Sequence, residues 1–199
     1  MRTVFFCLAL GLIGWMLIQP FRAISHPPGV LAPGDPVQLT LPENAPEIRL
    51  KGWTLTPLAT YSIHARVLSK RKYSSDSTSA ISPLDFLVGW GPMSDSSILG
   101  TMSFRQSQRF GYWQPGQNTP LSPAEIASHA ANIHLIPAND AVRDRLASLR
   151  VGSLVQLRGK LVEATLAGNK GAPWRSSLTR TDTGNHSCEI LYVESVAGR

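Results

Sequence analysis

No charged residue interrupts the chain between Arg2 and Arg22, and from Val4 to Ile18 every residue is apolar or glycine. A run of about 19 residues at about 1.5 Å rise per residue just crosses a hydrocarbon core of about 30 Å, whereas the apolar region of a cleaved signal is usually shorter. The run is therefore read as a membrane anchor over 1–22. Ala23-Ile24-Ser25 supplies the small residues of a cleavage site, which makes a removed signal peptide the alternative. A buried core helix does not suit a segment that is apolar all round, uncapped and closed by Pro20. Both surviving readings send the remainder out of the cytosol. The expected location is a bacterial inner membrane with the domain in the periplasm, or the periplasm itself after cleavage. The expected partners are thus the membrane, through this segment, and whatever the exported part meets.

The chain has 199 residues, of which 43% are hydrophobic and 16% charged. Once the leading segment is set aside, that length accommodates one core but not two, which excludes a multidomain enzyme. The apolar fraction excludes wholesale disorder. The only cysteines, Cys7 and Cys188, stand near opposite ends, so neither a disulfide framework nor a zinc quartet is available.

Between His26 and Pro57 lie Pro27, Pro28, Pro33, Pro36, Pro42, Pro46 and Pro57. Proline at that density removes the backbone donors of helices and central strands, so 23–57 reads as an extended linker or as a strap over the domain surface. Leu31, Val37, Leu39, Leu41 and Trp53 suit a strap. The globular domain is placed at 58–198.

Within it, Tyr61, Ile63, Ala65 and Val67 alternate with Ser62, His64 and Arg66, the pattern of a half-buried strand. The polar tract Tyr73 to Ser79 reads as a surface loop. Ser82-Pro83-Leu84-Asp85 has the hydroxyl cap, first-turn proline and acidic residue of a helix opening. Thr101 to Gln106 and Arg109 to Trp113 read as a hairpin. Ser122-Pro123-Ala124-Glu125 is a capping box that predicts a helix to about Ala131, and Asn139 caps a further helix carrying Val142, Leu146 and Leu149 on one face. The strand from Leu154 to Glu163 is interrupted by Gly159, which marks a bulge or bend. Trp174 to Thr179 and Cys188 to Val196 supply two more strands. Together these predict an α+β domain: a curved antiparallel sheet, a partial barrel, with two or three short helices. The Gly159 strand resembles those of OB-fold proteins, over about 15 residues.

Phosphate loops, dinucleotide fingerprints and the nucleophile elbow are absent from the sequence. No cofactor is expected. His129 and His134 are five residues apart, the wrong spacing for a metal pair on one helix face, although a break at Asn132 would let His186, near Cys188, join them. No metal site is assigned. Trp174-Arg175-Ser176-Ser177-Leu178-Thr179-Arg180 places two guanidiniums beside hydroxyls, a combination suited to a carboxylate or phosphate, while Arg180 and Asp182 also suit a simple pair across a turn. Gly89-Trp90-Gly91-Pro92-Met93-Ser94-Asp95 reads as a pocket-lining loop or as a loop anchored by a buried tryptophan. The candidate ligand-binding set is Trp90, Asp95, His134, Arg175 and Arg180. Between Glu47 and Asp76 every charge is positive, which suits a face near an anionic bilayer. Export and the lack of an RNP-like motif argue against nucleic acid as a partner.

The segments 89–95, 129–138 and 174–184, with Cys188-Glu189, resemble a family of exported or membrane-anchored bacterial proteins for which no activity is established. The resemblance covers about residues 26 to 196 and implies the anchor-plus-domain layout, with no catalytic role to carry over. The sequence thus supports a membrane-tethered binding or interaction module for a partner protein or an anionic small ligand. The alternative is a small hydrolase or metal-dependent enzyme using His134 and His129 with Asp95 or Asp182.

Overall fold

The computed structural model describes residues 23–42, 44–168, 171–179 and 187–198. The expected anchor, and the positions Arg180, Asp182 and His186, lie outside the described residues. Among the described residues no helix is long and apolar enough to cross a membrane.

Ten strands and three short α-helices are described. The strands are β1 (Val37–Thr40), β2 (Ile48–Leu50), β3 (Trp53–Lys72), β4 (Leu84–Gly89), β5 (Met102–Ser107), β6 (Phe110–Pro115), β7 (Ala130–Pro137), β8 (Leu154–Leu166), β9 (Trp174–Arg175) and β10 (Glu189–Gly198). The helices are α1 (Ser96–Leu99), α2 (Pro123–Ser128) and α3 (Asp140–Ser148), and a 3-10 turn spans Gly91–Ser94.

The 20-residue β3 organises the sheet. Its first part, Trp53 to Arg66, pairs antiparallel with β8, and its last part, Arg66 to Lys72, pairs with β4. Register shifts between Pro57 and Ala59 and between Val67 and Ser69 bend it, as bulges do, and the first gives Pro57 a place beside a bulge where a missing N–H is tolerated. The pairings continue β4 to β7, β7 to β10 and β10 back to β8, so the strand ladder returns to β3. The sheet is curved, as its glycine and bulges lead one to expect. It is not wholly antiparallel: β7 and β10 are parallel, with His134 level with Ile190.

Side chains alternate between the inside and the outside of this curve. Tyr61, Ile63 and Ala65 of β3, Phe86 of β4, Leu135 of β7 and Leu191 of β10 meet in one core, which Val142 and Leu146 of α3 also join. Burying each large side chain contributes about 1.5–3 kcal/mol. At Gly159 a Cβ would lie 1.9 Å from the Tyr192 carbonyl oxygen, so its absence lets β8 and β10 approach where β10 shifts register, between Val193 and Ser195.

The residues after 22 are packed against the body. Ile24 N donates to Val151 O at 2.8 Å, His26 Nε2 to Gly152 O at 2.8 Å, and Leu31 and Ala32 N both to Ser94 Oγ at 3.0 Å. Ala32 is fully buried, and β1 pairs with β3.

Two sequence expectations need correcting. Ser82-Pro83-Leu84-Asp85 opens no helix: it leads into β4, all six residues of which are buried. A strand covered on both faces reads as a continuous apolar run, which periodicity cannot separate from a helix. The expected strand Trp174 to Thr179 is cut to Trp174–Arg175, because Ser177 Oγ accepts from Thr179 N at 3.0 Å and turns the chain. The helix from Pro123 also ends earlier, at Ser128, since β7 starts at Ala130.

Candidate functional site

The outer face of β4, β7 and β10 carries Asp85 and Leu87, Asn132 and His134, and Ile190, each set spaced by two along its strand. Antiparallel register sets Asp85 opposite His134 and Leu87 opposite Asn132. This face is not open to solvent: the β5–β6 hairpin lies over it, with Phe104 and Trp113 packed on the cluster containing Leu87 and Ile126. Gly111 sits at the closest approach, where a Cβ would come within 2.9 Å of Leu87 Cδ1 and 3.0 Å of Asn132. The Asn132 side chain ties the layers together, accepting from Gln106 Nε2 at 2.8 Å and donating to Arg109 O at 2.9 Å.

The hairpin turns through Gln108 and Arg109, at φ 50° and 70°. Two consecutive left-handed residues make the tight turn whose twist matches antiparallel strands, a conformation that disfavours non-glycine side chains. It delivers the Arg109 guanidinium onto the face. There Nη1 donates to Asp85 Oδ1 at 2.8 Å, Nη2 and Nε grip Asp76 at 2.8 and 3.1 Å, and Nη2 also donates to Ser82 O at 2.9 Å. The guanidinium carbon lies 3.8 Å from the Tyr73 ring centre. Burial, joined by the Asp85 charge, pushes the Tyr73 phenol above its usual range. Asp76 is held below the usual carboxylate range: burial works against the shift, but hydrogen bonds from Arg109 and Thr78 together outweigh it.

Asp85, fully buried, uses its second oxygen toward His134: Oδ2 lies 3.0 Å from Nδ1. His134 is 3% exposed, and its ring stacks at a tilt on Trp174, with centroids 5.0 Å apart. Although Oδ2 and Nδ1 are 3.0 Å apart, among the described residues neither Oδ2 of Asp85 nor Nδ1 of His134 has a hydrogen-bond partner. Beside it, a cavity of about 340 Å³ is lined by Arg109, Phe110, His134, Trp174, Arg175, Cys188 and Ile190. A second cavity of about 290 Å³ shares Phe110 and Cys188 and continues past Asn132 to Tyr112 and Trp113. The two form a groove between the hairpin and β9, with aromatic rings on both walls. An apolar cavity of about 170 Å³ between α3 and the β4–β7 strands has neither imidazole nor thiol in its lining.

Of the sequence candidates, His134 and Arg175 line the same cavity. Arg175 pairs with Glu163 at 2.6 Å, but its side chain is 54% exposed, and surface pairs of this kind are worth about 0–1 kcal/mol, so exchanging Glu163 for a ligand anion costs little. Trp90 and Asp95 lie together elsewhere and hold the strap: Trp90 Nε1 donates to Asp35 Oδ1 at 3.0 Å, and Asp95 Oδ1 accepts from Gly29 N at 2.9 Å. His129 donates through Nδ1 to Glu125 O at 2.8 Å at the end of α2, its ring 6.3 Å from that of Trp90. It does not join His134. Among the described residues no three His, Cys, Asp or Glu side chains are placed to hold a metal ion.

Asp85, Asp76, Arg109 and Tyr73 were not singled out by sequence. The available signal was a lone carboxylate inside the apolar run Leu84 to Val88, which in a strand buried on both faces demands a partner. Compared with protein-family models, curated proteins and solved structures, the chain matches none.

Proposed function

We propose that the chain is an exported, membrane-associated binding module whose curled sheet is an OB-type barrel and whose ligand is a small anion with a flat apolar part. The barrel reading rests on the strand circuit β3-β4-β7-β10-β8-β3 with one parallel pair. In OB barrels ligands lie on the face of the second and third strands, between the loops joining strands one to two and four to five. Here those strands are β4 and β7, the first loop supplies Tyr73 and Asp76, and the second supplies Trp174 and Arg175. This part of the reading is an analogy of fold.

The observation that carries the ligand class is the imidazole of His134, 3.0 Å from Asp85 and stacked on Trp174, in one cavity with the exchangeable Arg175. Trp174 and Phe110 offer rings to a flat group, and Arg175 offers a fork to a carboxylate or phosphate. Titration with benzoate and with p-nitrophenyl phosphate, followed by calorimetry, tests it. Saturable binding lost in Trp174→Ala and in Arg175→Glu supports the reading, and no heat above buffer with either probe rejects this ligand class.

The export reading rests on the apolar run before Arg22. It gains a geometric consequence: with Ile24 and His26 bonded to the turn at Val151 and Gly152, the body sits directly after the run, with no free spacer between them. A reporter active only in the periplasm, fused after Arg199, is expected to be active, and activity confined to a cytosolic reporter rejects the compartment.

A further inference from the structure

We propose that Cys188, His134 and Asp85 form a thiol–imidazole–carboxylate relay that accepts an acyl group from an ester or thioester bound in the groove. Cys188 immediately precedes β10, whose parallel register with β7 sets Glu189 opposite Ile133 and Ile190 opposite His134. One step back brings Cys188 level with Asn132, and Asn132 Nδ2 donates to Sγ at 3.6 Å. Cys188 and His134 therefore lie on the same face of neighbouring strands, offset by two residues in register. Both line the 340 Å³ cavity.

The roles follow from what each group already does. Asp85, fully buried and fixed by Arg109, sets its Oδ2 3.0 Å from Nδ1 of His134, where its negative charge favours a proton on that nitrogen. That leaves Nε2 as the basic nitrogen of a ring that lines the cavity and is 97% excluded from solvent. A thiol and an imidazole lining one cavity, with a carboxylate 3.0 Å from the imidazole, are the three groups that covalent acyl transfer combines. Asn132, whose amide nitrogen donates to both Sγ and Arg109 O, is a positioning residue for the thiol.

In the reaction, Nε2 takes the thiol proton as Sγ attacks the carbonyl carbon and the C–S bond forms. The tetrahedral species collapses, the bond to the leaving alcohol or thiol breaks, and Nε2 returns the proton to that group. Water then attacks the thioester by the same route, releasing the carboxylic acid and restoring the thiol. The aromatic walls at Phe110, Trp113 and Trp174 favour substrates with an apolar acyl or leaving group.

The test uses the full chain carrying Cys7→Ser, in which Cys188 is the one remaining thiol. At pH 6.5 iodoacetamide is expected to alkylate it at least about tenfold faster than N-acetylcysteine, because the thiolate is the reactive form and the base raises its share. p-Nitrophenyl acetate is expected to release a burst of one equivalent of nitrophenolate and to leave an acetyl group on the peptide containing Cys188. His134→Gln should slow both reactions by about 100-fold or more, and Asp85→Asn should do so to a lesser degree. Alkylation no faster than that of N-acetylcysteine overturns the relay, as does an unchanged rate in folded His134→Gln. If the His134 variant does not fold, the comparison of Cys188 with N-acetylcysteine decides alone. An inert thiol leaves the binding reading standing, since benzoate and p-nitrophenyl phosphate titrations do not depend on it.

Discussion

Arg109 Nη1 and Asp85 Oδ1 are 2.8 Å apart, and this pair joins the tip of the β5–β6 hairpin to a fully buried carboxylate in β4. Arg109 is 16% exposed, so both charges sit largely out of water, where breaking a pair costs far more than the pair itself contributes. Arg109→Ala leaves the buried Asp85 carboxylate without its guanidinium partner and is expected to destabilise the protein by roughly 3 kcal/mol in urea unfolding. Arg109→Ala combined with Asp85→Ala should recover part of that loss. A double variant no more stable than the single one would show that the uncompensated carboxylate is not the source of the cost.

Ser94 Oγ accepts from Leu31 N and Ala32 N and donates to Gly91 O at 2.7 Å, with Ser94 fully buried. One hydroxyl thus satisfies two backbone donors of the strap. Ser94→Ala removes their partner and is expected to cost about 2–3 kcal/mol, since each buried donor left without a bond costs about 1–3 kcal/mol. Limited proteolysis should then cut near residues 29–35 sooner than in the wild type. A cleavage pattern identical to that of the wild type would contradict the assigned role.

At Gly159 there is no room for a methyl group. The Cβ of an alanine would meet Tyr192 O at 1.9 Å and Tyr192 C at 2.9 Å, both backbone atoms that move only if β10 moves. Gly159→Ala is expected to cost about 3 kcal/mol or more, as overpacking against rigid neighbours does, and to lower the thermal midpoint in a calorimetric scan. A variant with an unchanged midpoint would mean that the two strands separate easily here.

How much of this was legible beforehand depended on whether a signal was local. The alternation from Tyr61 to Val67, the Ser122–Glu125 capping box and the Asn139 cap are each contained within a few residues, and each is present: Ser122 N donates to Glu125 Oε2 at 2.8 Å, and Val142 N to Asn139 Oδ1 at 2.9 Å. Gly159 signals the irregularity but not its strand: β8 runs unbroken from Leu154 to Leu166, and the register shift lies opposite it in β10, between Val193 and Ser195. The site was not legible, because its defining pair, Asp85 and His134, is made by strand register across a connection holding a hairpin and two helices. Proline and aspartate after Ser82 satisfied the local rules of a helix start, and only burial on both faces made the segment a strand. Arg109 was hidden differently, being an arginine in a left-handed turn position where composition gives no hint of its reach. Trp90 and Asp95 stand in an irregular glycine-containing loop, and the irregularity serves the strap.

Asp95 also gives the strap a dependence on pH. The Gly29 N–H, followed by the Ser97 hydroxyl and N–H, holds its carboxyl below the usual aspartate value of 3.8. A carboxylate whose folded value is depressed stabilises the fold fully above its unfolded value and loses that contribution as pH falls through the folded one. Above about pH 5, Asp95→Asn should therefore weaken strap attachment relative to the wild type, while below pH 3.8 the difference should shrink as the wild-type carboxyl takes up its proton. Trp90 lies between the strap and the core and donates to Asp35, so its fluorescence in a titration from pH 6 to pH 2 reports the attachment. A wild-type and variant difference that stays constant across that range would show that the Gly29 contact does not depend on the charge of Asp95.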